Sequence, residues 1–437
     1  MKPKAALALI LALIALAVSA GLTASSAMPA TVLNWEQVLP DGPTRIWRSP
    51  WYETDHRLFV TTGGDLRRTS DDGDTWTTLY PAWPLTETTG INAMAVAPAA
   101  PAALVLFVAR IRLDDRAEIY RSTDGGSTWS QVLTTTDALV HDLVTVRDNA
   151  GQLLVFAVGG GAQVWRSTDG GDTWVRAAAG LPDWPEMNRI FASPAFATDG
   201  TLYATGATAG DTVLVRSTDG GDTWAEVDIP QVDVAWQVVF SPQYGADGTL
   251  WISYSRTGDE GPFNGVVRST DYGDTWQVVS AGLDADFYDG YVLGLAVSPD
   301  YPDDPALYAV QITMHYMDPT WDLYRSPANG DMWWEQGPVP ADIPKGLLVA
   351  DRNLIFLPSG NGLWRLRTTC WEWVVNGDCE RATGWRLPHT PVPADYVIDH
   401  AHGGSRSMRI GIVGGPNRYG YSSARQKVDL PETAFEA

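Results

Sequence analysis

A short segment that returns about every fifty residues constrains this chain more than any other feature of its sequence. Its pattern is Ser/Thr-x-Asp-x-Gly-x-Thr-Trp. Strong copies occupy residues 69–76, 122–129, 167–174, 217–224 and 269–276, and a weaker copy occupies residues 326–333. These segments are called the repeat turns below. A repeat of this period indicates structural units that bury their faces against one another, so a chain of 437 residues needs no second large core.

The residue types of each repeat turn predict a tight connection between two strands. The Asp carboxylate can accept N–H groups of its own turn, and the Gly supplies a positive φ. The Thr and Trp begin a new strand, and the Trp ring can fold over the turn. Because the group recurs in every unit, we predict a structural role for Asp71, Asp124, Asp169, Asp219, Asp271, Trp76, Trp129, Trp174, Trp224 and Trp276.

Alignment on the repeat turns shows three short strands before each turn and one after it. The third strand always ends in an arginine, at Arg68, Arg121, Arg166, Arg216, Arg268, Arg325 and Arg365. Four-stranded units of this length predict an all-β, seven-bladed β-propeller over residues 32–370. The seventh unit lacks a fourth strand. We expect residues 32–40 to supply it and close the ring, with Trp371–Trp373 as the alternative.

The repeat turn resembles the Asp-box, or bacterial neuraminidase repeat, found in sialidases, xyloglucanases and photosystem assembly factors. Sialidases use an arginine cluster, a Tyr/Glu pair and an Arg-Ile-Pro motif, whereas here Arg45-Ile46 is followed by Trp47. Xyloglucanases clamp a glucan between two propellers with paired carboxylates, and the assembly factors bind protein. With one propeller expected, we predict an exported, non-catalytic propeller that binds a protein or glycan. The alternative is a glycoside hydrolase of sialidase-like or xyloglucanase-like type.

In propellers of the resembled type, the repeat turns lie on one face and ligands bind the other. The long loops expected on that other face cover residues 110–117, 180–187, 255–264, 283–290 and 311–320. We predict ligand-binding roles there for Arg110, Arg112, Trp184, Arg256, Asp259, Glu260, His315 and Tyr316. Asp259 and Glu260 are adjacent, which does not make them the opposed acid and base of a glycosidase, and we assign no catalytic residue.

The N-terminal residues 1–27 read as a secretory signal peptide, because Lys2 and Lys4 precede an apolar run that ends in small residues. An uncleaved anchor is the alternative. We therefore expect a secreted or cell-surface protein without a membrane span after signal removal. The net charge of −22 and the absence of a basic stripe argue against nucleic acid as a partner. We expect a monomer with a protein or polysaccharide ligand.

Periodicity stops after Arg365, and residues 371–437 resemble the opening half of a carbohydrate-binding jelly roll. This stretch is short for a closed sandwich, which favours a fragment of a longer protein over an incomplete final domain. The resemblance implies a structural Ca²⁺, with Glu380 as the first position to test. Asp-rich turns at 284–289 and 299–305 are further Ca²⁺ candidates, but the sequence assigns no metal ligands and implies no other cofactor. Whether Cys370 and Cys379 form a disulfide stays open.

Overall fold

The structure is a computed structural model, and its chain divides into two units, residues 1–367 and 368–437. The described residues are 33–43, 45–62, 64–79, 88–97, 104–112, 116–135, 139–161, 163–181, 186–207, 212–230, 232–256, 264–283, 290–315, 318–327, 329–340, 342–367, 395–397 and 407–409. The predicted signal peptide, Cys370, Cys379 and Glu380 lie outside this part of the chain.

Seven four-stranded antiparallel sheets make the first unit an all-β, seven-bladed propeller. The strands of blades 1 to 3 are β2 (Arg45–Arg48), β3 (Leu58–Thr62), β4 (Asp65–Thr69) and β5 (Thr77–Thr78); β6 (Thr88–Ala97), β7 (Val105–Arg112), β8 (Ala117–Ser122) and β9 (Ser130–Thr134); and β10 (Val140–Arg147), β11 (Leu153–Gly159), β12 (Gln163–Ser167) and β13 (Val175–Arg176). Those of blades 4 to 6 are β14 (Glu186–Ala192), β15 (Leu202–Ala207), β16 (Thr212–Ser217) and β17 (Ala225–Glu226); β18 (Val234–Phe240), β19 (Leu250–Ser255), β20 (Asn264–Ser269) and β21 (Gln277–Val278); and β22 (Gly290–Val297), β23 (Leu307–His315), β24 (Asp318–Ser326) and β25 (Trp334–Pro338). The first strands of neighbouring blades form the inner wall of the ring, and six of the seven neighbouring pairs make close contact, from β2 with β6 to β26 with β2.

Blade 7 takes its fourth strand from the other end of the chain. Its sheet has the order β1 (Trp35–Leu39), β28 (Gly362–Arg367), β27 (Leu354–Ser359) and β26 (Leu348–Asp351). Leu39 is buried in the core shared with blade 1, and the Glu36 carboxylate lies 2.6 Å from the guanidinium of Arg365. The predicted closing strand is therefore present, and residues 371–373, the alternative, lie outside the described residues.

Side-chain hydrogen bonds hold the five strong repeat turns in the same way. In blade 3 the Ser167 hydroxyl donates to Asp169 Oδ1 at 2.8 Å and accepts the N–H of Gly171 at 2.8 Å. Asp169 also accepts the N–H and the hydroxyl of Thr173, at 2.8 and 2.6 Å. The same four bonds recur in the other strong copies. The turn is thus closed by an ionised carboxylate.

The pKa values of these carboxylates reflect the same bonds. The Thr275 hydroxyl and then its backbone N–H lower the pKa of Asp271 from 3.8 to about 2. Because the folded pKa is depressed, the carboxylate stabilises the fold fully above its unfolded pKa. This contribution is lost as the pH falls through the folded value.

The arginines that end the third strands connect neighbouring blades. Arg121, for example, donates to the carbonyl of Gly170 in the next repeat turn at 2.8 Å, and its guanidinium lies 2.7 Å from Asp172. Arg365 makes the equivalent bond to Asp72 of blade 1 at 2.7 Å, across the closing junction. Equivalent bonds to carbonyls are made by Arg68, Arg166, Arg216 and Arg268. Arg325 differs, because it pairs with Asp304 of its own blade at 3.2 Å.

Short helices join the first and second strands in three blades. They are α1 (Tyr52–Asp55) in blade 1, α2 (Phe196–Asp199) in blade 4 and α3 (Tyr244–Asp247) in blade 5. Among the described residues no helix is long and apolar enough to cross a membrane. In the second unit, β29 (Asp395–Val397) pairs with β30 (Ser407–Arg409), and the rest of the predicted jelly roll lies outside the described residues.

Candidate functional site

The repeat turns share one face of the ring with the connections between first and second strands. The Tyr52 hydroxyl in α1 donates to Asp72 of a repeat turn at 2.6 Å, and in blade 4 the N–H of Gly220 donates to the carbonyl of Gly200 at 3.0 Å. Because the strands are antiparallel, the first strands begin at the opposite face. This opposite face, called the loop face below, carries the connections between second and third strands.

Arg110 and Arg112 were predicted to bind a ligand from a loop at 110–117, but both lie in β7, which continues to Arg112. The next strand, β8, starts at Ala117. The expected loop at 311–320 is likewise mostly strand, with His315 as the last residue of β23. Arg256 follows β19 directly and therefore lies in blade 5, whereas Arg110 and Arg112 lie in blade 2. Trp184, Asp259, Glu260 and Tyr316 lie outside the described residues.

Arg110 and Arg112 belong to a buried polar group in blade 2. Arg112 donates to Oε1 of Glu118 at 3.0 Å, and the Tyr120 hydroxyl donates to Oε2 at 2.8 Å. Arg110 is 3% exposed, and its charge acts on Tyr120. Burial and then Glu118 raise the pKa of Tyr120 from 10.0 to about 12. Both oxygens of Glu118 are therefore engaged, and Tyr120 is held as a neutral phenol.

A second charged group lies where the inner strands begin at the loop face. It comprises Arg45 of blade 1, His141 and Asp142 of blade 3, and Glu186 and Arg189 of blade 4, and is called the channel-mouth cluster. The guanidinium of Arg45 binds both carboxylate oxygens of Asp142, at 2.6 and 3.1 Å. Blade 2 separates the blades of these two residues along the ring. Their ion pair therefore shows that inner-strand side chains meet inside the central channel.

Asp142 makes two further bonds and has no free oxygen. Its Oδ1 accepts the N–H of Leu143 at 3.0 Å, and its Oδ2 accepts the N–H of Ile190 in blade 4 at 3.2 Å. The Asp142 side chain is 6% exposed, and that of Arg45 is 21% exposed. Asp142 thus joins blades 1, 3 and 4 and neutralises the charge of Arg45.

A β-bulge at one equivalent place shapes five of the inner strands. The register shifts between residues 91 and 93, 140 and 142, 187 and 189, 235 and 237, and 292 and 294. The residue after the bulge reaches the next blade in two cases, since Asp142 bonds Ile190 and Gln237 bonds both backbone groups of Leu295, at 2.8 and 3.2 Å. Bulges re-aim side chains and are frequent beside functional sites.

Arg189 occupies the same post-bulge position but has no ion pair or hydrogen bond with any described residue. Burial and then the charge of Arg45 lower the pKa of Arg189 from 12.5 to about 10, partly offset by Asp142. Burial also lowers the pKa of His141 below 6.5, against Glu186 and Asp142, and its Nε2 has no described hydrogen-bond partner. Arg189 is therefore a cation without an ion-pair partner among the described residues, although the exposed Glu186 belongs to the same cluster.

An exposed aromatic ring occupies the bulge position of the next blade. Trp236 is 37% exposed, and its indole N–H donates to the hydroxyl of Ser255 at 3.2 Å. Such a fixed ring gives a ligand an apolar surface beside the polar mouth.

No metal-binding group of three or more His, Cys, Asp or Glu side chains occurs in the described ranges. At the Asp-rich turn 299–305, Asp300 pairs with Arg352 at 2.9 Å and Asp304 pairs with Arg325 at 3.2 Å. These two carboxylates are therefore engaged in ion pairs. Residues 284–289, the other predicted Ca²⁺ turn, lie outside the described residues.

No family model and no curated protein matches the chain. Among solved structures it is similar to the xyloglucanase of glycoside hydrolase family 74 from Xanthomonas campestris, with 20% identity over 77% of this chain and a TM-score of 0.59. The chain spans about half, 54%, of that enzyme's length. It is also similar to YCF48 from Cyanidioschyzon merolae, with 16% identity over 76% of this chain and 98% of YCF48, at a TM-score of 0.53.

What the chain shares with these proteins is the fold. A further similar structure is the extracellular domain of a two-component system protein from B. thetaiotaomicron, with 10% identity over 79% of this chain and 41% of that domain, at a TM-score of 0.52. YCF48 has also been solved with a D1 peptide bound, and that structure has a TM-score of 0.52, with 16% identity over 78% of this chain and all of that one. At these identities the likeness defines the architecture and leaves the ligand open.

Sequence reasoning missed His141, Asp142 and Arg189, because they lie inside segments that read as apolar inner strands. A signal for them does exist. Once the units are aligned, the position after the bulge is Ala93, Asp142, Arg189, Gln237 and Gly294 in successive blades. A position that varies while its surroundings repeat is a better candidate for function than one that repeats.

Proposed function

We propose that this chain is an exported, non-catalytic β-propeller that binds a protein or glycan on its loop face, at the cell surface or outside the cell. One observation carries the proposal. In the channel-mouth cluster, the ion pair of Arg45 and Asp142 is complete, while Arg189 beside it has no described partner. Such an arrangement supplies a guanidinium for the recognition of a ligand.

The hydrogen bonds that the Asp142 carboxylate already accepts favour a binding function over catalysis. A glycosidase places two carboxyl groups about 5 to 10 Å apart across the bond that breaks. Asp142 accepts four hydrogen bonds, which leaves no lone pair for a proton or for attack on a sugar. Within the described cluster this leaves Glu186 as a single exposed carboxylate.

The structural neighbours support a binding role and a location outside the cytoplasm. The YCF48 structure with a D1 peptide shows a propeller of similar fold binding a peptide. The neighbour from B. thetaiotaomicron is an extracellular domain, in agreement with the signal peptide expected at residues 1–27. The jelly-roll resemblance of residues 371–437 would add attachment to a polysaccharide.

A binding screen tests the proposal directly. The purified full chain is immobilised and exposed to sialosides, β-glucans, acidic and neutral oligosaccharides, and a peptide library, with mass spectrometry of each glycan to detect turnover. We expect a ligand that binds without being cleaved and whose affinity falls about tenfold in Arg189→Met, since one charge-assisted contact is lost. Arg176→Met, an exposed change on β13, serves as the matched control and should bind normally. Cleavage of the ligand would contradict the proposal.

The second candidate function is glycoside hydrolysis, and the Tyr120–Glu118 pair with its two arginines is the observation that favours it. Against it stand the burial of Glu118, 7% exposed, and the raised pKa of Tyr120, which opposes formation of a phenolate nucleophile. We expect no turnover of fluorogenic sialosides or β-glucans by the intact chain. Turnover that disappears in Tyr120→Phe or Glu118→Gln would establish the hydrolase, and loss in Glu260→Gln or Asp259→Asn would place its site on the 255–264 loop.

A further inference from the structure

We infer that Arg189 binds a single carboxylate group of the ligand at the loop-face mouth of the central channel, with Nε2 of His141 beside the bound anion. This inference rests on the proposed binding function and names the chemistry of its ligand. It assigns a recognition role to a residue inside an inner strand, two residues beyond the expected loop at 180–187.

The position of Arg189 in the repeat is the first argument. Asp142 and Gln237, at the same position after the bulge, bond the inner strand of the next blade. Arg189 makes no such bond to any described residue, although its guanidinium has five N–H donors. Where this position joins two blades, Asp or Gln makes the contact, so hydrogen bonding between the described parts of neighbouring blades does not account for the arginine.

Electrostatics gives the second argument. Arg189 is partly buried and lies close enough to Arg45 for the two like charges to repel. Asp142 is the charged neighbour that attracts both arginines, and its oxygens are bonded to Arg45 and to backbone N–H groups. A partly buried cation beside another cation destabilises the folded state unless an anion binds it. Nε2 of His141, buried without a described partner, also lacks a hydrogen-bonding group.

The chemistry of the site selects a carboxylate. A guanidinium edge presents two parallel N–H groups that match the two oxygens of a planar carboxylate. With Arg45 bound to Asp142, Arg189 is the one guanidinium of the cluster left to bind a ligand, and one guanidinium suits a monoanion better than a dianion. The chain carries a net charge of −22, so a ligand with many carboxylates would be repelled from the rest of the surface.

Thermal unfolding in acetate tests this inference on the full chain. At constant ionic strength, 100 mM sodium acetate is compared with sodium chloride, sodium sulfate and neutral acetamide. Acetate is expected to raise the Tm by roughly 2 °C, as a ligand with a dissociation constant on the order of 10 mM would. Acetamide has nearly the same shape without the charge and should give no shift. A shift in sulfate as large as that in acetate would overturn the assignment to a carboxylate.

Arg189→Met gives the decisive comparison. It removes an uncompensated charge beside Arg45, so without acetate its Tm should rise by roughly 1–3 °C, and its acetate response should vanish. A purely structural Arg189 predicts the reverse, a lower Tm with the acetate response intact, and that result would overturn the inference. Arg176→Met should retain the full acetate response. If Arg189→Met does not fold, Arg189→Lys replaces it. We expect less than half of the acetate shift in Arg189→Lys, because an ammonium lacks the two-pronged edge, and an undiminished shift would overturn the inference.

The two proposals can fail separately. If acetate stabilises the chain through Arg189 but no protein or glycan binds, the anion site stands and the binding function falls. If a ligand is found and Arg189→Met binds it with unchanged affinity, the binding function stands and the carboxylate site falls.

Discussion

Removal of residues 33–41 is expected to lower the Tm of the propeller by roughly 10 °C or more. The deletion takes β1 from the sheet of blade 7, together with buried Leu39 and the ion pair of Glu36 with Arg365. Loss of the Leu39 side chain alone costs about 2–4 kcal/mol, and the strand pairing adds to it. The open edge of β28 should also cause self-association, since unpaired strand edges bind other chains. Differential scanning calorimetry and light scattering measure both effects.

A synthetic peptide of residues 33–41, added to the shortened chain, provides the control. It should restore much of the lost Tm, whereas the same peptide with Leu39→Asp should not, because it would bury an unpaired carboxylate. A shortened chain that melts with the intact one would show that β1 does not hold the ring closed.

Gly221→Ala is expected to destabilise the propeller by about 2–4 kcal/mol, whereas Gly220→Ala should cost only about 1 kcal/mol. Both glycines have a positive φ, +84° and +74°, so both substitutions carry the same kind of backbone strain. They differ in their surroundings. A Cβ at Gly221 would lie 2.7 Å from Cε1 of Phe156 in the preceding blade, while the nearest atom to a Cβ at Gly220 is 3.9 Å away.

The difference between the two variants therefore measures the contact between blades 3 and 4. Phe156 is fully buried and cannot move aside without displacing its own blade. Chemical unfolding in urea gives both free energies. Equal losses of unfolding free energy in the two variants would mean that position 221 requires glycine for the conformation of the turn and not for the packing of neighbouring blades.

The architecture could be predicted from the sequence because its signals are periodic. In blades 1 to 6 the repeat turns fix the position of the third and fourth strands, and the arginine before each turn confirms the alignment of the units. The boundaries of the second and third strands were less accurate. Residues 311–320 were expected to form a loop, yet β23 and β24 pair as far as His315 and Asp318. Ile312 and Thr313 are β-branched and Trp321 is aromatic, and these residue types favour strands. This preference explains why the two strands continue where a loop was expected.

The candidate site could not be predicted in the same way. Arg45 and Asp142 are 97 residues apart and meet across the channel, in blades that are not neighbours. The periodicity gives each residue a blade and a strand, but it contains no information on which inner-strand side chains reach across the ring. The blade 2 group differs, because its members are close in the chain: Glu118, which binds Arg112 and lies opposite Arg110, is on the neighbouring strand of the same blade.

The exceptional behaviour of Arg325 follows from the way the ring closes. Blade 7 receives its fourth strand from the other end of the chain, so no repeat turn connects β28 to that strand, and Arg325 of blade 6 pairs with Asp304 of its own blade. The junction of the two chain ends therefore differs in its connection from the junctions between the other blades. Opening there converts the closed ring into a linear array, in which the two terminal blades each have one neighbour instead of two. The order of disassembly is therefore set by the position of the closing strand as well as by the stability of the individual blades.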